Sequence, residues 1–245
     1  MKRILKFVSF ILCAVLCITL VTSFVSNPHN TSGSTEEVDF STISMSCLGS
    51  SSTLPTKVER AYPKVVKELL GLRRATAYGA GWSTLAYAED CACHDTEYDH
   101  QPFVERYTQM KTADIIVVQG GGANDYGACI PIGDIDDTEI TTFYGALNTL
   151  MAGLKKLHPN SYIFFMTGYN IYGENAKNKA GIYWSEYQEA IINACKKHNI
   201  DCLDIYHNMP MDRETDTVDG AHPTQDFIDN VWSPIIADFI RKNYR

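Results

Sequence analysis

The chain alternates between short uninterrupted apolar runs and longer stretches in which apolar residues recur every three or four positions. Residues 114–120 (DIIVVQG) and 162–167 (YIFFMT) are continuous runs, the pattern of strands buried on both faces. Residues 43–49, 75–81 and 201–206 are read as three further strands, the first two closed by Gly49 and Gly81. Between them, residues 57–70 carry Val58, Ala61, Val65 and Leu69 on one helical face. Residues 142–157, closed by His158-Pro159-Asn160, and residues 184–198 read as two more helices, and 224–242 as a last one. Strands alternating with helices predict βαβ units and a parallel sheet covered on both faces. The expected fold class is α/β, a three-layer α/β/α sandwich around a central parallel sheet of about five strands. No internal repeat or second domain is visible.

The N-terminus breaks this pattern. Lys2, Arg3 and Lys6 precede an uncharged apolar run over residues 7–25, which predicts an export signal. Cleavage near Ser23 or Ser26 fits, and so does retention as an anchor, since a run of ~19 residues can span a bilayer. In the second case the positive flank stays cytoplasmic and the domain lies outside. Cys13 and Cys17 lack the small preceding residue that lipid attachment requires. The expected organisation is a leader over 1–25, a polar turn-rich linker over 26–40 and one domain over 41–245. Asn30-Thr31-Ser32 in the linker fits the glycosylation acceptor pattern.

Composition adds exclusions more than identity. The 245 residues are 45% hydrophobic and 20% charged, as in ordinary globular proteins. The ~210 residues beyond the leader suffice for one sizeable core. Net charge is −8, and no Lys/Arg block follows the leader. That argues against nucleic acid as a partner and limits membrane contact to the possible N-terminal anchor. Six of the eight cysteines lie beyond the leader, an even number that permits disulfides without choosing among pairings. Cys47 and Cys202 sit in apolar runs and are read as buried thiols.

Ligands of open parallel sheets bind beyond the carboxyl ends of the strands, so the segments just after the strands carry the candidate chemistry. After the first strand, Gly49-Ser50-Ser51-Ser52-Thr53 can aim a hydroxyl into the crevice, with its own N–H turned toward a developing oxyanion; the same residues also suit a helix N-cap. After the second, the small residues around Tyr78-Gly79-Ala80-Gly81-Trp82 can leave a backbone N–H free. After the third, Gly120-Gly121-Gly122-Ala123-Asn124-Asp125 turns tightly and offers the Asn124 amide as a donor. A phosphate cradle is the rival reading, but the Lys-Ser/Thr of a P-loop and the GxGxxG spacing are both missing. Near the C-terminus, Asp219-Gly220-Ala221-His222-Pro223 places a carboxylate three positions before an imidazole. Such a pair can fix the tautomer of a general base, although Asp-Gly also marks plain turns. Cys91-Ala92-Cys93-His94, with Asp95, Asp99 and His100, has zinc-type ligands, but the Cys-x-Cys spacer is short and no second pair follows. It is read instead as a loop over the site, tied to Cys129, with His94 lining the pocket.

Taken in order, these blocks resemble the SGNH (GDSL) hydrolase superfamily, esterase- and lipase-like enzymes on a flavodoxin-like sandwich, from about residue 43 to the C-terminus. Gly49-Ser50-Ser51 falls on the Gly-Asp-Ser block, Gly122-Ala123-Asn124-Asp125 on the Gly-x-Asn-Asp block, and Asp219-Gly220-Ala221-His222 on the Asp-x-x-His block. Thr142-Phe143-Tyr144-Gly145-Ala146-Leu147 is similar to a stretch of exported bacterial members. The resemblance implies Ser51 as nucleophile, His222 as base and Asp219 as the acid that orients it. It implies an oxyanion hole from the N–H groups of Ser51 and Gly81 and the Asn124 side chain, with no metal or organic cofactor. Matching Ser83-Thr84-Leu85 without a gap would put Trp82 in place of Gly81. Ser50 stands where the family has Asp, which should alter loop hydrogen bonding rather than abolish the reaction. The expected substrate is a small-molecule or glycan ester. Loops 83–110, 126–140 and 168–183, rich in Tyr, Trp, Asn and Asp, favour acetyl groups on carbohydrate over long acyl chains. A lipase or lysophospholipase activity, or a binding domain that kept the fold and lost catalysis, are the alternatives.

Overall fold

The strands are β1 (Ser44–Gly49), β2 (Arg74–Gly79), β3 (Ile115–Gln119), β4 (Tyr162–Met166) and β5 (Asp201–Leu203). They form one all-parallel sheet in the order β2-β1-β3-β4-β5. The computed structural model describes residues 38–88 and 102–245. The leader, nearly all of the linker with its Asn30 acceptor, and the Cys91–His94 cluster lie outside the described residues. The remainder is one compact unit, Asp39–Arg245. Among the described residues no helix is long and apolar enough to cross a membrane.

The two continuous apolar runs are central strands whose alternate side chains enter different cores. Ile115 and Val117 of β3 pack on one side and Ile116 and Val118 on the other, all fully buried. In β4, Phe164 and Met166 oppose Ile163 and Phe165 in the same way. Helices α1 (Tyr62–Leu70) and α4 (Ser233–Asn243) cover the first face, through Val65, Val66, Ile236 and Ile240. Helices α2 (Phe143–Leu157) and α3 (Trp184–His198) cover the second, through Leu147, Leu150, Leu154, Ala190 and Ile191. Local chemistry sets their ends. Thr142 accepts the Gly145 N–H to start α2, and Glu186 reaches back to the Tyr183 N–H to start α3. Basic residues close both helices, Lys155 and Lys156 on α2 and Lys196 and Lys197 on α3, where the helix dipole favours them.

Four expected elements differ from what forms. The helix expected from residue 57 begins at Tyr62, and Leu69, placed on its buried face, is 42% exposed. The edge strand β2 ends at Gly79 rather than Gly81: the Ala80 N–H makes the last bond to β1, on the Gly49 carbonyl, and the Gly81 N–H takes no backbone acceptor among the described residues. The strand expected to reach Tyr206 stops at Leu203, since Asp204 caps a helical turn over Ile205–Asn208 by accepting the His207 N–H. The helix expected over 224–242 is broken into Gln225–Phe227, a π turn Ile228–Trp232 and α4. Pro234 has no N–H to give an α-helical partner, and the Ser233 N–H bonds five residues back to Ile228 just before it. Cys47 is a buried free thiol as expected, whereas Cys202, on the edge strand β5, is only partly covered.

Strand β2 was added on one side of β1 and β3 on the other, so the winding direction reverses at the β1/β3 boundary. The crevice beyond the carboxyl ends of these two strands is where such sheets bind ligands.

Candidate active site

Ser51 lies just past β1, in a single 3₁₀ turn (Ser51–Thr53) that opens after the extended residue Ser50. The turn is held by the Thr53 N–H on the Ser50 carbonyl and by the Thr56 hydroxyl on the Ser51 carbonyl at 2.9 Å. Ser50 makes only a long 3.5 Å contact with Gln119, so the residue that replaces the family's Asp is weakly tethered.

Asp219 and His222 occupy a tight loop. An isolated bridge joins Thr217 to Pro223, the Val218 N–H donates to the His222 carbonyl at 2.8 Å, and the Thr217 hydroxyl accepts the Gly220 N–H at 2.7 Å. Gly220 supplies the left-handed φ of 83° that this turn demands. The loop is fastened outside by Arg213, whose Nε donates to the Gly220 carbonyl at 2.9 Å. Within it, His222 Nδ1 lies 2.9 Å from Asp219 Oδ2, and Nε2 lies 2.9 Å from Ser51 Oγ. With a carboxylate on Nδ1, the ring proton belongs there, and Nε2 is left to accept the Ser51 hydroxyl proton. Partial burial opposes the Asp219 charge. Hydrogen bonds from Lys57, from the His222 N–H and ring and from the Ala221 N–H outweigh it and hold the carboxyl well below the usual carboxylate range. These bonds favour the ionised carboxylate of Asp219.

The third block sits across the crevice. Gly121 packs against the chain at Gly168, where an added Cβ would stand 2.7 Å from the Gly168 Cα. Buried Gln188 bridges the two, accepting the Gly168 N–H at 2.6 Å and donating to the Gly121 carbonyl at 2.9 Å. Asn124 gives one amide hydrogen to the Ser83 carbonyl at 2.8 Å, leaving a second for a ligand. Asp125 is fully buried beneath, accepting the N–H groups of Leu85 and Ala86 at 2.9 Å. Burial pushes its pKa up to about 6 despite those bonds. Arg106, also buried, donates to the carbonyls of Gly49 and Tyr78 and to the Ser83 hydroxyl, tying together the ends of β1 and β2 and the loop after β2.

All five residues singled out from the sequence, Ser51, Gly81, Asn124, Asp219 and His222, line one cavity of about 590 Å³. Its walls come from Leu85 and Phe103 and from Ile171, Tyr172 and Trp184, with Trp82, 57% exposed, and Lys57 also lining it. Of the loops expected to shape the pocket, 83–110 and 168–183 contribute, while 126–140 supplies only Gly127. The Ser51 and Gly81 N–H groups take no backbone acceptor among the described residues. Cys129 is disulfide-bonded, and its partner lies outside the described residues. Among those residues, no group of three His, Cys, Asp or Glu side chains gathers as a metal site.

Sequence reasoning missed four residues that hold this arrangement. Lys57 contacts Asp219 at 2.6 Å. The Tyr169 hydroxyl lies 2.9 Å from that of Ser52 and donates to the Ala221 carbonyl at 2.9 Å, linking the Ser51 turn to the Asp219–His222 loop. Arg106 and Asp125 act from below. Asp125 stands inside the Gly122-Ala123-Asn124-Asp125 block without a role having been read for it, and the other three have no local spacing that marks them.

Comparison with known proteins bears on the same residues. The GDSL-like Lipase/Acylhydrolase family model matches residues 77–231, more than half of the chain. The chain belongs to this family. The match makes it a GDSL-type ester hydrolase, and it takes in Asn124, Asp219 and His222 but stops short of Ser51. No curated protein sequence matches the chain. A protein of known structure from Lactobacillus plantarum is similar at 25% identity and a TM-score of 0.72, covering 83% of this chain and 99% of that one. An acetyl xylan esterase shares the hydrolase fold at 18% identity and a TM-score of 0.55, covering 83% of this chain and 100% of that one. A family two carbohydrate esterase from Clostridium thermocellum, solved with cellohexaose, shares it at 14% identity and a TM-score of 0.55, covering 82% of this chain and 64% of that one.

Proposed function

We propose that this GDSL-type hydrolase is a serine esterase that removes short acyl groups, acetyl first, from carbohydrate. The observation that carries the mechanism is the relay Ser51 Oγ–His222 Nε2–Nδ1–Asp219, closed by two contacts of 2.9 Å. His222 takes the Ser51 proton as Oγ attacks the ester carbonyl, and Asp219 stabilises the imidazolium that results. The negative oxygen of the tetrahedral intermediate is held by the N–H groups of Ser51 and Gly81 and by the free hydrogen of the Asn124 amide. His222 then protonates the leaving alcohol, and water, deprotonated by the same imidazole, releases the acid and restores Ser51. Asn124→Ala is expected to lower kcat by about 10²–10³-fold with KM nearly unchanged, the behaviour of a donor used mainly in the transition state. Steady-state kinetics on a short acyl ester provides the check.

The substrate proposal is supported by the walls of the site. Trp82, exposed at the cavity wall, presents an aromatic ring of the kind that packs on the C–H face of a sugar ring, beside polar groups that can fix its hydroxyls. The same fold serves the two carbohydrate esterases named above. Acetate release from acetylated xylan is expected to exceed acyl release from long-chain esters in kcat/KM. The reverse order would replace this substrate class with lipids. Export is also proposed, on the basic and apolar N-terminal pattern and on the Cys129 disulfide, since such bonds persist in oxidising compartments.

A further inference from the structure

We propose that Lys57 sets the acidic limit of the hydrolysis, as a positioning residue that acts through Asp219. The proposal rests on the Ser51–His222–Asp219 reading above. Lys57 Nζ lies 2.6 Å from Asp219 Oδ2, the oxygen that also receives the His222 Nδ1 proton at 2.9 Å. The other carboxylate oxygen is occupied by the Ala221 and His222 N–H groups at 3.1 and 2.9 Å. Asp219 is thus shared between an imidazole and a permanent cation.

The cation is delivered by the nucleophile's own segment. The turn that starts at Ser51 is fixed by Thr56, whose hydroxyl donates to the Ser51 carbonyl and whose N–H bonds to the Leu54 carbonyl. The next residue, Lys57, has a left-handed φ of 60°. A non-glycine residue keeps such a conformation only where its surroundings fix it. Here its result is to turn the side chain onto the acid of a loop far along the chain.

The electrostatic consequence has a definite sign. A carboxylate beside an imidazole favours the protonated ring. A cation on the same carboxylate withdraws part of that stabilisation, so the relay keeps its capacity to accept the Ser51 proton further into acid than it would without Lys57. Two further groups face the pair among the described residues. Arg213 bonds the Gly220 carbonyl from the Arg213–Asp216 turn, and the Tyr169 hydroxyl bonds the Ala221 carbonyl from the segment after β4. Both touch the loop backbone, and Lys57 touches the carboxylate itself. Its side chain is 53% exposed, so salt screens its influence.

Lys57→Met, which keeps length and removes charge, is expected to raise the pH midpoint of the acidic limb of kcat/KM by about half a unit, the size of effect of one neighbouring charge in a mostly aqueous dielectric. Lys57→Arg is expected to keep the wild-type midpoint, and the Lys57→Met displacement is expected to shrink in high salt. The measurement is acetate release from 4-nitrophenyl acetate between pH 4 and 8 at two ionic strengths, with Ser51→Ala as a parallel control. An unmoved midpoint in Lys57→Met, or equal displacement in Lys57→Arg, with Ser51→Ala inactive, overturns the role of Lys57 and leaves the triad standing. Full activity in Ser51→Ala overturns both.

Discussion

Ser51→Ala is expected to lower kcat on a short acyl ester by about 10⁴–10⁶-fold. The substitution removes the atom that attacks and the partner that His222 Nε2 holds at 2.9 Å, and it leaves Asp219, Asn124 and the backbone donors in place. Residual turnover above the uncatalysed rate would then come from the oxyanion donors acting on bound water. Among the described residues the Ser51 hydroxyl bonds His222 alone, so the thermal midpoint should stay near that of the parent protein. A variant that keeps the parent rate would remove Ser51 from the nucleophile's place, and a variant with a collapsed midpoint would require His222→Ala as the second witness. The experiment is informative because the family match begins at residue 77 and does not reach Ser51.

The largest effect on stability is expected at Asp125. Truncation to Ala leaves the buried N–H groups of Leu85 and Ala86 without an acceptor, at roughly 1–3 kcal/mol each. Relief of the buried charge offsets part of this, so the net loss at pH 7 is expected at about 2–4 kcal/mol, or roughly 5–12 °C in thermal midpoint for a domain of this size. The pH dependence follows from the direction of the shift. Burial raises the Asp125 pKa to about 6, so the folded protein takes up this proton before the unfolded chain does. The stability contributed is complete below the ordinary carboxylate range and is lost as pH rises through 6. The difference between parent and Asp125→Ala should therefore widen from pH 7 toward pH 4.5. Asp219 titrates in both proteins and cancels in the comparison. Urea unfolding at the two pH values measures it, and a gap that narrows toward acid would contradict the burial argument.

The interior of the sheet was legible because β3 and β4 are covered on both faces, and the unbroken apolar runs 114–120 and 162–167 have no other economical explanation. Helix α3 was legible to the residue, since its cap, its apolar face and its basic end agree. Elements blurred where burial and backbone conformation part company. Val58 packs against the core without being helical, so apolar spacing extended α1 over a turn that is built for another purpose. The candidate site was legible in its blocks, because Ser51, Asn124 and the Asp219–His222 pair each follow from chemistry that needs those groups next to strand ends. Its supports were not. Lys57, Tyr169 and Arg106 act across long stretches of chain, on backbone carbonyls or a single carboxylate, and such partners leave no spacing in the sequence; Asp125 belongs to a legible block, but the N–H groups it holds lie 39 and 40 residues away.

The closed loop from Thr217 to Pro223 has a bearing on how the protein comes to work at all. Asp219 and His222 are neighbours in the chain, and bonds within their own loop orient them toward each other. Ser51, their proposed partner, lies in the turn after β1, 171 residues before His222, and is synthesised first. On the proposed mechanism Ser51 has no base until the Thr217–Pro223 loop docks over the β1/β3 crevice. On the proposed mechanism, docking of that loop and onset of reactivity are one event.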